Sequence, residues 1–238
     1  MGDSDQITVV YDNRCFYPGL TPDWGFSCLV RTKEETILFD TCWNQTILLD
    51  NMKYLGINPL EIDSVVLSHR DQDHIGGLDG LLSICPGLDI YLPLSPNSIC
   101  RNITRNKGKA IQVRDVELIS GGIMVAAWDD TLSLLLETEA SNGLVMFASR
   151  MPEKVLEMIR RVKELRKGFD ILLLIAAFCH FSPADAGDLA NHFKSLGVRK
   201  IAPCHCCDQD SRSALIKEYG NDYIPLGVGS IYSIPWLL

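Results

Sequence analysis

Ser68-His69-Arg70-Asp71-Gln72-Asp73-His74-Ile75-Gly76-Gly77 sets two imidazoles and two carboxylates, His69, Asp71, Asp73 and His74, within six residues. Directly before it, Ser64-Val65-Val66-Leu67 is a short apolar run that reads as a buried strand. The donor side chains are therefore expected on a turn at a strand end. Neutral imidazole and carboxylate suit Zn²⁺, Fe²⁺ or Mn²⁺. The paired glycines predict a tight backbone turn around a bound ion. One His-x-Asp can be no more than a turn with satisfied side chains. Four donors at this spacing after a strand point to a metal.

Working outward, short apolar runs bounded by turn residues predict strands over Ile7–Tyr11, Phe26–Arg31, Thr36–Asp40 and Ser64–Ser68. Others follow over Asp89–Leu92, Ile111–Val113, Val116–Ile119, Ile123–Ala126, Leu132–Glu137 and Gly143–Ala148, then Ile171–Ala177, Lys200–Pro203 and Ile231–Ile234. Helices are predicted over Gln45–Leu55, from Pro152 onward, over Pro183–Leu196 and over Ser211–Tyr219. In the second of these, Val155, Ile159, Val162 and Leu165 recur at helical spacing. Many strands with a few amphipathic helices imply an α/β fold, two mixed sheets sandwiched between helices in an αββα arrangement. With 238 residues and neither a long linker nor a repeat, one domain over residues 1–238 is expected.

Composition narrows the function classes. A net charge of −8 argues against a general nucleic-acid or anionic-membrane binder. The start, MGDSDQITVV, lacks the basic and apolar regions of a signal peptide. The longest apolar run, 171–179, is too short to span a bilayer. Nine cysteines without framework spacing fit a reducing cytoplasm. Arg101, Arg105, Lys107 and Lys109 read as a basic loop, either solvated or gripping a substrate phosphate or carboxylate.

Four of the five histidines fall at or just past apolar strand ends: His69, His74, His180 and His205. His192 lies inside a predicted helix and reads as a surface or packing residue. Cys204, Cys206 and Cys207 flank His205; Cys204 and Cys207 have Cys-x-x-Cys spacing, but the chain lacks the second such pair of a zinc site, so they read as inert thiols.

Taken in order, these motifs resemble the metallo-β-lactamase superfamily, whose usual signature is His-x-His-x-Asp-His. Within it the chain is most similar to the branch of the methanopterin-pathway dihydropterin phosphate synthases. The resemblance runs through Val10–Asn13, Gly25–Ser27, Ile37–Thr41, Asn51, Leu55–Ile57, Ile62–Asp63, Ser64–Gly77 and Gly143–Val145, and continues through Phe178–His180, Pro203–Cys206 and Val228–Gly229. It implies the αββα fold and two ions side by side. His69 is then assigned to the first ion, and Asp73, His74 and His205 to the second. Cys179 or His180 lies near the metals.

Three positions depart from the branch. Asp71 stands for its second histidine, Arg150 for the histidine of its Gly-Cys-Ser-His-Pro motif, and Cys42 for a glycine. Arginine stays protonated and does not ligate metal. Asp71 and Arg150 are therefore expected to pair where the first ion would sit, as a buried and bidentate pair, leaving one ion rather than two. The reading that follows is a cytoplasmic metal-dependent hydrolase, probing zinc first with manganese or iron as alternatives. Metal ligands are drawn from His69, Asp71, Asp73, His74, His180 and His205. Asp73 orients a water, and Arg150, where it is not tied to Asp71, binds a substrate anion. The partner is a small soluble molecule, with a phosphorylated one among the candidates, and neither nucleic acid nor membrane. Two alternatives stand beside it: a catalytically impaired member that binds a ligand or partner, and an iron-dependent redox protein. Asp40 is expected to orient a ligand histidine from behind.

Overall fold

Strands with every second residue apolar must bury one face, and strands apolar throughout must bury both. The computed structural model, which describes residues 5–95, 97–138, 143–178 and 182–234, resolves the chain's strands on this rule. The strands are β1 (Gln6–Tyr11), β2 (Ser27–Arg31), β3 (Thr36–Phe39), β4 (Ser64–Val66), β5 (Asp89–Pro93), β6 (Lys109–Val113) and β7 (Val116–Ser120). They continue as β8 (Ile123–Trp128), β9 (Thr131–Thr138), β10 (Gly143–Arg150), β11 (Asp170–Phe178), β12 (Val198–Cys204) and β13 (Ile231–Ser233). One sheet has the order β13-β1-β2-β3-β4-β5-β6 and the other β12-β11-β10-β9-β8-β7.

Three apolar layers hold the sandwich. Between the sheets, Val9, Val30, Ile37, Phe39 and Val66 meet Val125, Leu134, Val145, Phe147 and Ile175. The alternate residues point outward. Leu38, Val65 and Leu67 pack under α1 (Gln45–Tyr54), α2 (Gln72–Ile75), α3 (Leu78–Ile84) and α4 (Asn97–Arg105), through Leu48, Met52, Ile75, Leu81 and Ile103. On the far side, Leu144, Met146, Leu174 and Ala176 pack under α5 (Pro152–Leu165), α6 (Ala186–Ser195) and α7 (Gln209–Tyr219). The αββα expectation holds.

Two expectations need correction. The basic stretch is not a loop: Arg101 and Arg105 ride on α4, and Lys109 opens β6. Ile103 is buried, with Ile99 and Cys100 partly so, giving the segment an apolar stripe at helical spacing. The helix expected from Pro183 begins as a 3-10 turn, Pro183–Asp185, before α6.

Strand direction positions the site. β3 and β4 run parallel, so Asp40 and Ser68 leave adjacent strands at the same edge. β10, β11 and β12 are also parallel, which brings the residues after Ser149 and Cys204 to one edge of the second sheet. Crevices outside the carboxyl ends of parallel strands are where such sheets place their ligands.

Candidate metal centre

The motif leaves β4 and folds into the single turn of α2, whose N-cap is Asp71. The paired glycines work differently from the sequence expectation. Gly76 is in ordinary helical conformation, and neither glycine takes a positive φ. A Cβ on Gly76 would lie 2.2 Å from the Trp43 carbonyl oxygen, and one on Gly77 2.2 Å from that of Thr41. The two N–H groups donate to Cys42 and Thr41 at 2.7 and 2.8 Å. Close backbone approach, not conformational freedom, requires glycine there.

Asp40 lies behind the motif, fully buried, at φ 58°. Its Oδ1 accepts the Ser68 N–H at 2.7 Å. Its Oδ2 accepts the Ser68 hydroxyl and His74 Nδ1–H, each at 2.7 Å. A carboxylate only accepts, so this contact places the His74 hydrogen on Nδ1 and leaves the Nε2 lone pair facing the crevice. The expectation for Asp40 matches this geometry.

His205 is held by residues far away in sequence. It sits at φ 49°, an unusual backbone conformation for a non-glycine residue, immediately after β12. Its N–H donates to Asp12 Oδ2 at 2.7 Å. The fully buried guanidinium of Arg212 donates to the carbonyls of Pro203, Cys207 and His205 and pins the turn. Asn13 Oδ1 is 2.8 Å from His205 Nδ1 and accepts the Gly25 N–H at 3.2 Å. Nδ1 is thus held on the protein side, with the Gly25 N–H also 3.2 Å from it, and Nε2 is turned toward Asp73. Burial, ahead of all other influences, pushes the His205 pKa down.

Asp73, His74 and His205 converge. Their ligand atoms all lie within 4.8 Å of one another. His205 Nε2 is 3.1 Å and His74 Nε2 3.9 Å from Asp73 Oδ2. Tetrahedral ligands at about 2.0–2.1 Å from an ion stand about 3.3 Å apart, so this donor set fits a divalent cation with one position open. Burial raises the Asp73 pKa, but its interactions with His205 and His74 outweigh it, and the carboxyl is held below the usual range.

The first-ion position is built otherwise. His69 is buried, its ring 4.2 Å from that of His74 and its Nδ1 2.7 Å from Ser68 Oγ. Its pKa is pushed down to about 2, first by burial and then by the neighbouring charges of His74 and Arg150. Its Nε2 lies 3.3 Å from Asp71 Oδ2. Arg150, the last residue of β10, donates to Asp71 Oδ2 at 3.0 Å and to Asp130 Oδ2 at 2.6 Å. The expected pair therefore exists, with two corrections. It lies at the rim, since the Asp71 side chain is 57% exposed. The guanidinium bridges two carboxylates instead of gripping one bidentately, and Asp130 was not anticipated. Among the described residues, one imidazole beside a guanidinium does not fit an ion there.

His180 and Cys179 lie outside the described residues. Cys42 is buried in the outer apolar layer, with Sγ 3.5 Å from the Asn44 carbonyl. Cys204 and Cys207 are buried thiols whose pKa values burial pushes up, as inert thiols require. Cys206 departs from that reading, being disulfide-bonded. Trp24 and Ser149 also reach the centre: Trp24 Nε1 donates to Asp73 Oδ2 at 3.1 Å, and Ser149 Oγ is 3.4 Å from His74 Nε2.

The metallo-β-lactamase superfamily model matches residues 20–99 of the chain, which include the whole motif. The fold is that of the metallo-β-lactamase superfamily. A crystal structure of a metal-dependent hydrolase of the β-lactamase superfamily superposes with a TM-score of 0.79 at 19% identity, covering 97% of this chain and 99% of that one. The metallo-β-lactamase fold protein YhfI from Bacillus subtilis gives 0.71 at 16% identity, with the same coverage. Among curated proteins, a 7,8-dihydropterin-6-methyl-4-(β-D-ribofuranosyl)-aminobenzene-5′-phosphate synthase of Methanocaldococcus jannaschii is 23% identical. That alignment covers 89% of this chain and 91% of the relative. Among the described residues, no helix is long and apolar enough to cross a membrane.

Proposed function

We propose that the chain acts as one domain, a metal-dependent hydrolase of a small soluble substrate, with one divalent ion held by Asp73, His74 and His205. The observation that carries this is the convergence of those donors, with the Nδ1 atoms of both imidazoles tied back so that their Nε2 atoms face together. An ion there supplies Lewis acidity and lowers the pKa of water toward neutrality. Zinc is the first metal to test, because two imidazoles and a carboxylate with an open position is a catalytic zinc donor set. Manganese and iron are the alternatives.

The chain's own residues do the positioning. Asp40 holds His74, and Asn13 and Asp12 hold His205. Asp73, kept ionised well into acid, can accept a hydrogen bond from the attacking water and so orient it. Arg150 stands at the rim, where a substrate anion can exchange with Asp71 or Asp130 for its guanidinium. The relative's name carries a 5′-phosphate, and α4 exposes Arg101 and Arg105, so a phosphorylated small molecule is the class to test first.

A second reading, a ligand-binding member without turnover, is favoured by the guanidinium at the first-ion position. Purified protein loaded with zinc, manganese or iron(II) should hydrolyse at least one member of a panel of phosphomonoesters, phosphodiesters and lactones. Asp73→Asn should abolish that turnover. Bound metal with no turnover on any of them would leave the second reading in possession.

A further inference from the structure

We propose that Trp24 is a positioning residue for the metal centre, acting on Asp73 through its indole N–H. This rests on the single-ion reading above. Residues 24–26 touch both widely separated parts of the donor set. Trp24 Nε1 donates to Asp73 Oδ2 at 3.1 Å, and Phe26 N–H donates to the Asp73 carbonyl at 3.3 Å. Gly25 N–H lies 3.2 Å from His205 Nδ1, and the Trp24 ring meets the His205 ring edge-on at 4.7 Å between centroids. One short segment therefore clamps a carboxylate and an imidazole that are 132 residues apart.

The segment has little freedom to shift. Gly25 is at φ +128°, and a Cβ there would lie 2.6 Å from the Asp73 carbonyl oxygen. One residue earlier, Asp23 is tied by its N–H to Asp12 and by its carboxylate to the Tyr11 hydroxyl at 2.6 Å. Yet Trp24 itself is 51% exposed, too open to be an ordinary core residue. Exposed tryptophan with its one polar hydrogen committed to a candidate ligand is placed to orient, not to pack.

The indole hydrogen sits on Oδ2, the same oxygen that faces His205 and His74, and so fixes where that oxygen stands among the donors. Partners that orient metal-ligating groups in this way typically change affinity 10–100-fold when removed. Trp24→Phe deletes the N–H and keeps an aromatic side chain at a half-exposed position.

The test is a cobalt(II) titration of the full chain, read by visible absorption and by competition with a chelator, on wild type, Trp24→Phe and Trp43→Phe. Trp43 is equally exposed and is the control. The expected result is affinity about tenfold weaker and a shifted cobalt spectrum for Trp24→Phe, with wild-type values for Trp43→Phe and an unchanged melting temperature for both. Wild-type affinity and spectrum in Trp24→Phe would overturn the positioning role while leaving the metal centre intact. Failure of the wild type itself to bind cobalt would overturn the single-ion reading and this inference with it.

Discussion

The two halves of the motif region carry similar side chains and differ in what surrounds them. At the second-ion position, a carboxylate and two imidazoles face one another, and each imidazole has a side-chain oxygen against its Nδ1. At the first-ion position, one imidazole faces a carboxylate, and a guanidinium bridges Asp71 and Asp130. Burial differs too: Asp40 and His74 are almost inaccessible, while Asp71 is more than half exposed. The lesson is that a donor set is defined by what stands behind it. His69 faces a carboxylate that is already paired with a guanidinium, and its presence alone does not make a site.

Predictions that break or sharpen this contrast start with stoichiometry. Asp71→His with Arg150→His should add a second ion per chain, because three imidazoles would then face the first position and Asp130 would lose its cation. Elemental analysis after gel filtration reads this directly; an unchanged metal count would mean that the strand ends, not these side chains, prevent the site.

Removing a braced donor should act next most strongly. His74→Ala or His205→Ala should weaken zinc binding by at least about a hundredfold in chelator competition, since each removes one of three donors. His69→Ala should change it far less. Equal losses at all three histidines would erase the contrast.

Asp40→Asn tests the bracing itself. The amide keeps one acceptor and sets an NH₂ against donors from Ser68 and His74. Affinity should drop about 10–100-fold. Stability should fall by about 2–3 kcal/mol, or roughly 4–12 °C in melting temperature for a chain of this size. Unchanged affinity with lowered stability would make Asp40 a fold residue only.

Acid should act more gently. An imidazole whose folded pKa lies below its unfolded value, about 6.5, takes up its proton readily only on unfolding. The stability His69 and His205 contribute is full above about pH 6.5 and is lost as pH falls toward their folded values, about 2 for His69. Each can cost up to about 1.4 kcal/mol per pH unit in that window. The Asp73 contribution is lost only below its ordinary value, near pH 3.8. Urea unfolding of metal-stripped protein at pH 7.5 and 5.5 should show the loss, and His69→Gln should reduce the slope.

Much of this was legible in the sequence, for reasons particular residues show. Short apolar runs such as Ile171–Ala177 had to be buried strands, and the structure buries all seven residues. The convergence of Asp73, His74 and His205 followed from motif and strand ends. α4 gives little helical signal in the sequence because its apolar stripe is only Ile99, Cys100 and Ile103 among arginines and asparagines. Trp24, Asn13 and Asp130 went unassigned because their roles depend on contacts across 49, 192 and 20 residues. No local spacing signals such contacts. The glycines were located correctly and explained wrongly, since close approach to the Trp43 and Thr41 carbonyls is a tertiary fact.

Metal content of the wild-type protein tests the central claim most directly. Chain purified without chelator, saturated with zinc and freed of excess by gel filtration, should carry one zinc per chain by elemental analysis, and His205→Ala treated identically should carry none. Two tightly held ions per wild-type chain would contradict the account at the first-ion position, and zero would contradict it at the second.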